Sequence, residues 1–204
     1  CVTLPPFFTS AQRAHCFAQS QVDIAVADEH MAADMQLAGF RQDGLFWRRE
    51  QAHDSRIPIG TAKITYTSGT TGTPKGVCLS AAALMRVAQA LERASRPAAP
   101  ERYLAVLPLA VLLENLGIYA ALLAGAEVTA IPQLQMGING ATGVDWPRLL
   151  GTLAISGAQS VILVPQLLLG LVTAIERKLI GVEQFRFVAV GGARVTAELL
   201  ERAA

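Results

Sequence analysis

Tyr66-Thr67-Ser68-Gly69-Thr70-Thr71-Gly72-Thr73-Pro74-Lys75-Gly76-Val77 follows directly on Lys63 to Tyr66, whose Ile-Thr-Tyr core favours a β-strand. The composition of this stretch suits a polyphosphate. Glycines let backbone N–H groups converge on an anion without interference from a Cβ, five hydroxyls add donors, and Lys75 supplies a mobile positive charge. The stretch is not a Walker A loop, because that pattern ends in Gly-Lys-[Ser/Thr], whereas here Pro74 precedes Lys75 and Gly76 follows it. The plain alternative is a flexible Gly/Thr connector between two apolar strands.

On either side of the loop, strand-like apolar runs alternate with helix-like stretches, the pattern of an α/β fold with mainly parallel sheets flanked by helices. Upstream, Ala11 to Ser20 reads as a helix, Val22 to Ala27 as a strand, Met31 to Ala38 as a helix and Leu45 to Arg49 as a short strand. Downstream, Ser80 is a good N-cap for Ala81 to Ser95, a helix that the prolines at 97 and 100 end. Strands are expected at Tyr103 to Leu107, Glu127 to Ile131, Ser160 to Val164 and Phe187 to Val190. Helices are expected at Leu112 to Ala124, from an Asp145 cap to Ile155, at Gln166 to Lys178 and after a Thr196 cap, with Gln133 to Gly143 as a loop. The organisation expected is an N-terminal α/β segment with its linker over 1–60, and an α/β segment carrying the Gly/Thr loop over 61–204.

A chain of 204 residues with 52% apolar residues can bury a core. Its net charge of +1 is spread along the chain, so it lacks the basic stripe of a nucleic-acid binder. The three cysteines, Cys1, Cys16 and Cys78, are odd in number and have no CxxC spacing, which points to a reducing, cytoplasmic setting. Tyr103 to Ala126 is long enough to span a membrane but contains Pro108, Glu114 and Asn115. A central carboxylate costs about 2.5–3.5 kcal/mol on insertion scales, so buried core and no membrane span is the expectation. The start lacks both Met and a signal-peptide pattern, which reads as a segment from inside a longer chain.

Tyr66 to Val77 resembles the phosphate-binding signature of the AMP-dependent synthetase family, the adenylate-forming enzymes that include acyl-CoA synthetases, luciferases and peptide-synthetase adenylation domains. The resemblance implies an enzyme that uses ATP and Mg²⁺ to turn a carboxylate into an acyl-adenylate and pyrophosphate, and in the ligase branch passes the acyl group to CoA. It makes Thr67, Ser68, Gly69, Thr70, Thr71, Gly72, Thr73, Pro74, Lys75 and Gly76 the candidate ATP-phosphate site, with Lys75 the candidate catalytic residue. Ser68, Thr70, Thr71 and Thr73 would hydrogen-bond the β- and γ-phosphates, and Lys75 would neutralise them. Aimed donors of this kind stabilise charge where it develops in the transition state.

Two further segments extend the resemblance over most of the chain from about Leu4 onward. Leu107-Pro108-Leu109-Ala110-Val111-Leu112-Leu113-Glu114 is similar to the long-chain acyl-CoA synthetase segment in which Leu-Pro-Leu-Ala is followed by His and, three residues on, by Glu. Val111 stands where that His would be, which makes it the candidate substrate-side residue. Phe187-Val188-Ala189-Val190-Gly191-Gly192-Ala193 is similar to the strand and Gly-Gly-Ala turn that in the family passes the adenine and the acyl group. Gly191, Gly192 and Ala193 are the candidate wall of that site.

The family's Tyr-Gly-x-Thr-Glu segment, ribose-binding Asp, hinge and late Lys do not occur in these 204 residues. The resemblance therefore implies an incomplete part of the large N-terminal domain, truncated at both ends and inactive by itself. Within the family an aryl-acid ligase or adenylation domain is the alternative, and outside it a nucleotide-binding module that no longer ligates. His15, His30 and His53 have no metal-ligand spacing, and no metal site is expected from the chain's own residues. Cys78 reads as a small buried hydrophobe, Met31 and Met35 as core filling, and Trp47 and Trp146 as packing residues.

Overall fold

The computed structural model describes residues 1–5, 7–51, 54, 56–67, 73–139 and 143–203. The chain divides into two compact units, Cys1–Ala83 and Leu84–Ala204. The expected 60/61 junction lies inside the first unit, because the strand after it pairs with the chain's first residues.

The first unit carries β1 (Val2–Thr3), α1 (Ser10–Ser20), β2 (Ile24–Ala25), α2 (Ala32–Leu37), β3 (Arg41–Asp43), β4 (Phe46–Arg48), β5 (Thr61–Thr67) and β6 (Lys75–Ser80). β5 lies between β1, which it pairs in parallel with Val2 opposite Ile64, and β6, which it pairs antiparallel with Thr67 opposite Lys75. Thr9 opens α1 with a capping box: its hydroxyl accepts from the Gln12 N–H while the Gln12 side chain accepts from the Thr9 N–H. An ion pair between Arg13 and Asp34 ties α1 to α2. Phe8, Cys16, Ile64 and Tyr66 form one small core, and Phe17, Met35, Phe40 and Trp47 another. Arg49 borders the second core, lying 4.5 Å from the Phe40 ring centre and donating to the carbonyls of Phe17, Val22 and Ala38.

Two expectations are corrected in this unit. The strand expected over Val22 to Ala27 reduces to β2, which pairs with β4 in an antiparallel sheet ordered β2, β4, β3, and β3 was not foreseen. Cys78 is exposed rather than buried. It lies on β6, an outer strand of its sheet with β5 as its neighbour there, so its side chain is not covered as a central strand's would be.

Between the units' strands runs α3 (Ala81–Ser95), started by the Ser80 hydroxyl, which accepts from the Ala83 N–H at 3.2 Å. The second unit then carries β7 (Arg102–Ala105), α4 (Leu112–Leu123), β8 (Glu127–Ala130), α5 (Gln133–Met136), β9 (Ile138–Asn139), β10 (Gly143–Val144), α6 (Trp146–Ser156), β11 (Ser160–Leu163), α7 (Pro165–Glu176), β12 (Phe187–Val190) and α8 (Ala197–Ala203). β12, β11, β7 and β8 lie side by side in that order and every pairing is parallel. Parallel strands need crossovers, and α4 supplies the one between β7 and β8. The central strands β7 and β11 read as apolar runs because both faces are covered, and Leu104, Val161 and Ile162 are almost fully buried. The segment 133–143, expected to be a loop, contains α5 and a small antiparallel pair of β9 with β10. Among the described residues no helix is long and apolar enough to cross a membrane.

Candidate functional site

The candidate phosphate residues divide between strand ends and the segment joining them. Thr67 is the last residue of β5, and Lys75 and Gly76 are the first two of β6, so Lys75 belongs to a strand rather than to the loop proper. Ser68, Gly69, Thr70, Thr71 and Gly72 lie outside the described residues. The pairing of Thr67 with Lys75 closes the stem, which places the lysine at the loop's exit. Lys75 is exposed and makes no ion pair among the described residues, which leaves its ammonium available to an anion. Gly76 is needed for packing: a Cβ there would lie 3.0 Å from the Ile64 Cγ2 and 3.1 Å from the Tyr66 ring.

α1 grips both arms of this stem. The Tyr66 hydroxyl donates to the Cys16 carbonyl at 3.1 Å, and the His15 Nε2 lies 3.1 Å from the carbonyl oxygen of buried Pro74, the residue before Lys75. Burial raises the Cys16 thiol to about 11 and the Tyr66 phenol to about 12, so both stay neutral at physiological pH. His15 had no visible signal, because its partner is 59 residues away in the chain. His30 lies in a short 3₁₀ turn, and His53 falls outside the described residues.

In the second unit the remaining candidates gather at the C-terminal ends of the parallel strands, where open α/β sheets place their ligand crevices. β7 runs into the 106–111 turn, β11 into Pro165, and β12 into Gly191, Gly192 and Ala193. Gly192 has φ +85°, a left-handed conformation that favours glycine. A Cβ on Gly191 would meet the Leu113 Cδ2 at 3.0 Å, so the turn after β12 packs closely on the start of α4. Val111 and the Gly-Gly turn are thereby brought to one end of one sheet. The phosphate candidates belong to the other unit.

Val111 is the N-cap of α4, extended, 38% exposed and unable to cap with its side chain. Its own N–H donates to the Pro108 carbonyl at 2.8 Å. Glu114, three residues on, has no exposure at all. Its Oε1 accepts from the Tyr103 hydroxyl at 2.5 Å and its Oε2 from the Leu107 N–H at 2.6 Å. Beside it, the Asn115 Nδ2 donates to the Leu109 carbonyl at 2.9 Å. Two neighbouring side chains of α4 thus hold the turn that carries Val111.

Burial outweighs these donors and lifts the Glu114 carboxyl to about 7, and the Tyr103 phenol is raised as well, by burial and by the neighbouring carboxylate. The unfolded chain releases the Glu114 proton near the ordinary value of 4.5 and the folded chain near 7, so the fold holds more protons between these values. Stability should therefore fall as pH rises from about 4.5 to 7, by an amount on the order of 3 kcal/mol, and level off above. Urea unfolding at a series of pH values should show this slope in the wild type and lose it in Glu114→Gln. An equal slope in both would refute the assignment.

A family model described as AMP-binding enzyme matches residues 1–204. No curated protein matches the sequence. Among solved structures, ATP-bound MatB from Rhodopseudomonas palustris is 18% identical, with 99% of this chain and 41% of that one covered and a TM-score of 0.72. O-succinylbenzoate Coenzyme A synthetase (MenE) from Bacillus subtilis, in complex with ATP and magnesium ion, is 19% identical, with 98% and 41% covered and a TM-score of 0.68. Amide bond synthetase McbA from Marinactinospora thermotolerans is 21% identical, with 99% and 42% covered and a TM-score of 0.65. The present chain thus spans less than half the length of each of these three structures, and at such identities the likeness is one of fold.

Proposed function

The chain belongs to the AMP-binding enzyme family, and from that premise we propose that it is the phosphate-binding part of an ATP-dependent acid–thiol ligase that activates a carboxylic acid, a fatty acid in the first instance, and transfers it to CoA. The observation that carries this reading is the hydroxyl- and glycine-rich segment closed by the Thr67 and Lys75 pairing, with an exposed ammonium at its exit. In the first half-reaction a carboxylate oxygen attacks the α-phosphorus of ATP and pyrophosphate leaves. Both reactants are anionic, so the chain's contribution is charge and aim: Lys75 sits against the departing polyphosphate, and the Thr67 to Thr73 hydroxyls and N–H groups donate to its oxygens. In the second half-reaction a thiol attacks the acyl carbonyl and AMP leaves.

Mg²⁺ accompanies ATP in this reading. Among the described residues no group of three or more His, Cys, Asp or Glu could hold a metal ion. The ion's protein partners are therefore not assigned to these residues. The turn at 106–111 forms the acid and thiol side, and the wall at 191–193 runs beside the adenine and the acyl group. The long-chain preference is supported by Leu107-Pro108-Leu109-Ala110 with Glu114, and by the apolar runs at 103–131 and 161–175.

The test is ATP–pyrophosphate exchange by the full-length protein across short, long, aromatic and amino acids, followed by thioester formation with CoA. Exchange confined to aromatic or amino acids would replace the fatty-acid reading with the aryl-acid or adenylation alternative, and no exchange with any acid would favour a module that only binds nucleotide. A second expectation concerns Val111, which cannot hydrogen-bond. Val111→His adds a donor at the head of α4 and should change the thioester-forming half-reaction by about 2- to 10-fold, the worth of one hydrogen bond, while adenylation changes less. Single-turnover rates for both halves decide it. Unchanged rates and chain-length preference would make Val111 a packing residue.

A further inference from the structure

Glu114 is a charged side chain with zero exposure on α4, and nothing in the two half-reactions above uses it. A buried carboxyl is costly unless its oxygens are satisfied, and here each oxygen has a donor from a different part of the fold. Oε1 takes the Tyr103 hydroxyl from β7, a strand in the sheet's interior, and Oε2 takes the Leu107 N–H, two residues past the strand's end, while the Val106 N–H also bonds the carboxyl. The carboxyl thus bridges a rigid strand and the start of the turn that leaves it. Among the described residues the turn's other ties are the Val111 N–H to the Pro108 carbonyl, the Asn115 amide to the Leu109 carbonyl and a long bond from the Gln133 amide to the Val106 carbonyl. The next side chain on the same helix, Leu113, packs against Gly191.

Resting on the ligase reading, we propose that Glu114 is the positioning residue of the acid and thiol side of the site: its carboxyl fixes the 106–111 turn, and with it Val111, against the C-terminal end of the sheet. Glu114 has no exposed surface to offer a ligand. The turn it holds carries none of the phosphate candidates, so its influence should fall on the acid and not on the polyphosphate.

Glu114→Gln keeps the size and one acceptor but sets an NH₂ group against a donor, so at least one of its ties is lost. In the full-length protein this variant should raise KM for the carboxylic acid about tenfold and leave KM for ATP within about twofold, while the Leu107 amide exchanges its hydrogen at least about tenfold faster. Tyr103→Phe, which removes one donor and spares the Leu107 tie, should shift the acid KM in the same direction by less. An unchanged Leu107 amide in folded Glu114→Gln, or equal rises in both KM values, would overturn the proposal. Should Glu114→Gln not fold, Tyr103→Phe decides: a selective rise in acid KM supports positioning, and no rise refutes it. If the wild type exchanges no pyrophosphate, the ligase reading falls by itself, and the Leu107 amide alone then decides whether Glu114 holds the turn.

Discussion

Lys75→Ala in the full-length protein is expected to slow adenylate formation by about 10²- to 10³-fold, the loss typical of removing one aimed donor from a developing oxyanion. The proposed reaction concentrates negative charge: an anionic nucleophile approaches an anionic phosphorus while pyrophosphate departs. A single ammonium at the loop exit gains in strength as the charge develops, which is the condition for an effect on rate rather than on binding alone. Folding should be spared, because Lys75 is exposed at the start of an outer strand and makes no ion pair among the described residues. Its backbone pairing with Thr67 survives any side-chain change. ATP–pyrophosphate exchange with a saturating acid measures the loss, and a urea melt of the same preparation checks the fold. A wild-type exchange rate in a folded Lys75→Ala protein would remove the loop from the phosphate site.

The elements that sequence reading located are those whose causes are local. Asp145 and Thr196 each cap the helix they precede, accepting from the N–H groups of Arg148 and Leu199 at 3.2 and 3.3 Å. Phe187–Val190 is a strand over the expected residues because four apolar residues are bounded by polar Arg186 and by Gly191. Where the cause is distant, reading failed. Arg41, Gln42 and Asp43 are polar and exposed, and they become a strand only because Phe46–Arg48 returns beside them after Gly44 turns the chain. Cys78 looks like a core residue in an apolar run, and its exposure follows from strand order, which no window of residues contains. At the site, the loop composition and the Gly-Gly turn were legible, whereas the His15 contact with Pro74 and the burial of Glu114 depend on residues brought together by folding. Glu114 was visible as part of a motif, but its partner Tyr103 stands eleven residues earlier on another element.

Two helical glycines separate packing from propensity, and Gly117→Ala should be the more damaging change by a wide margin. Glycine inside a helix costs about 1 kcal/mol relative to alanine, so either substitution gains that much if nothing is in the way. At Gly151, within α6, an added Cβ meets no atom within 4 Å, and Gly151→Ala should stabilise the protein by up to about 1 kcal/mol. At Gly117, within α4, the added Cβ would overlap the Tyr103 hydroxyl and lie 2.6 Å from the Ile162 Cδ1. Ile162 is held in the central strand β11, so the phenol must move, and the phenol is the donor to the Glu114 Oε1. Overpacking typically costs about 1–3 kcal/mol, and a buried carboxyl deprived of a donor costs about 1–3 kcal/mol more. After subtracting the helix-propensity gain, a net loss of about 1–5 kcal/mol is expected. Urea unfolding of the two variants beside the wild type measures both signs at once. A Gly117→Ala protein as stable as the wild type would mean that α4 can move away from the sheet without loss, and the packing that locks Tyr103 onto Glu114 would then not hold the end of the sheet in place.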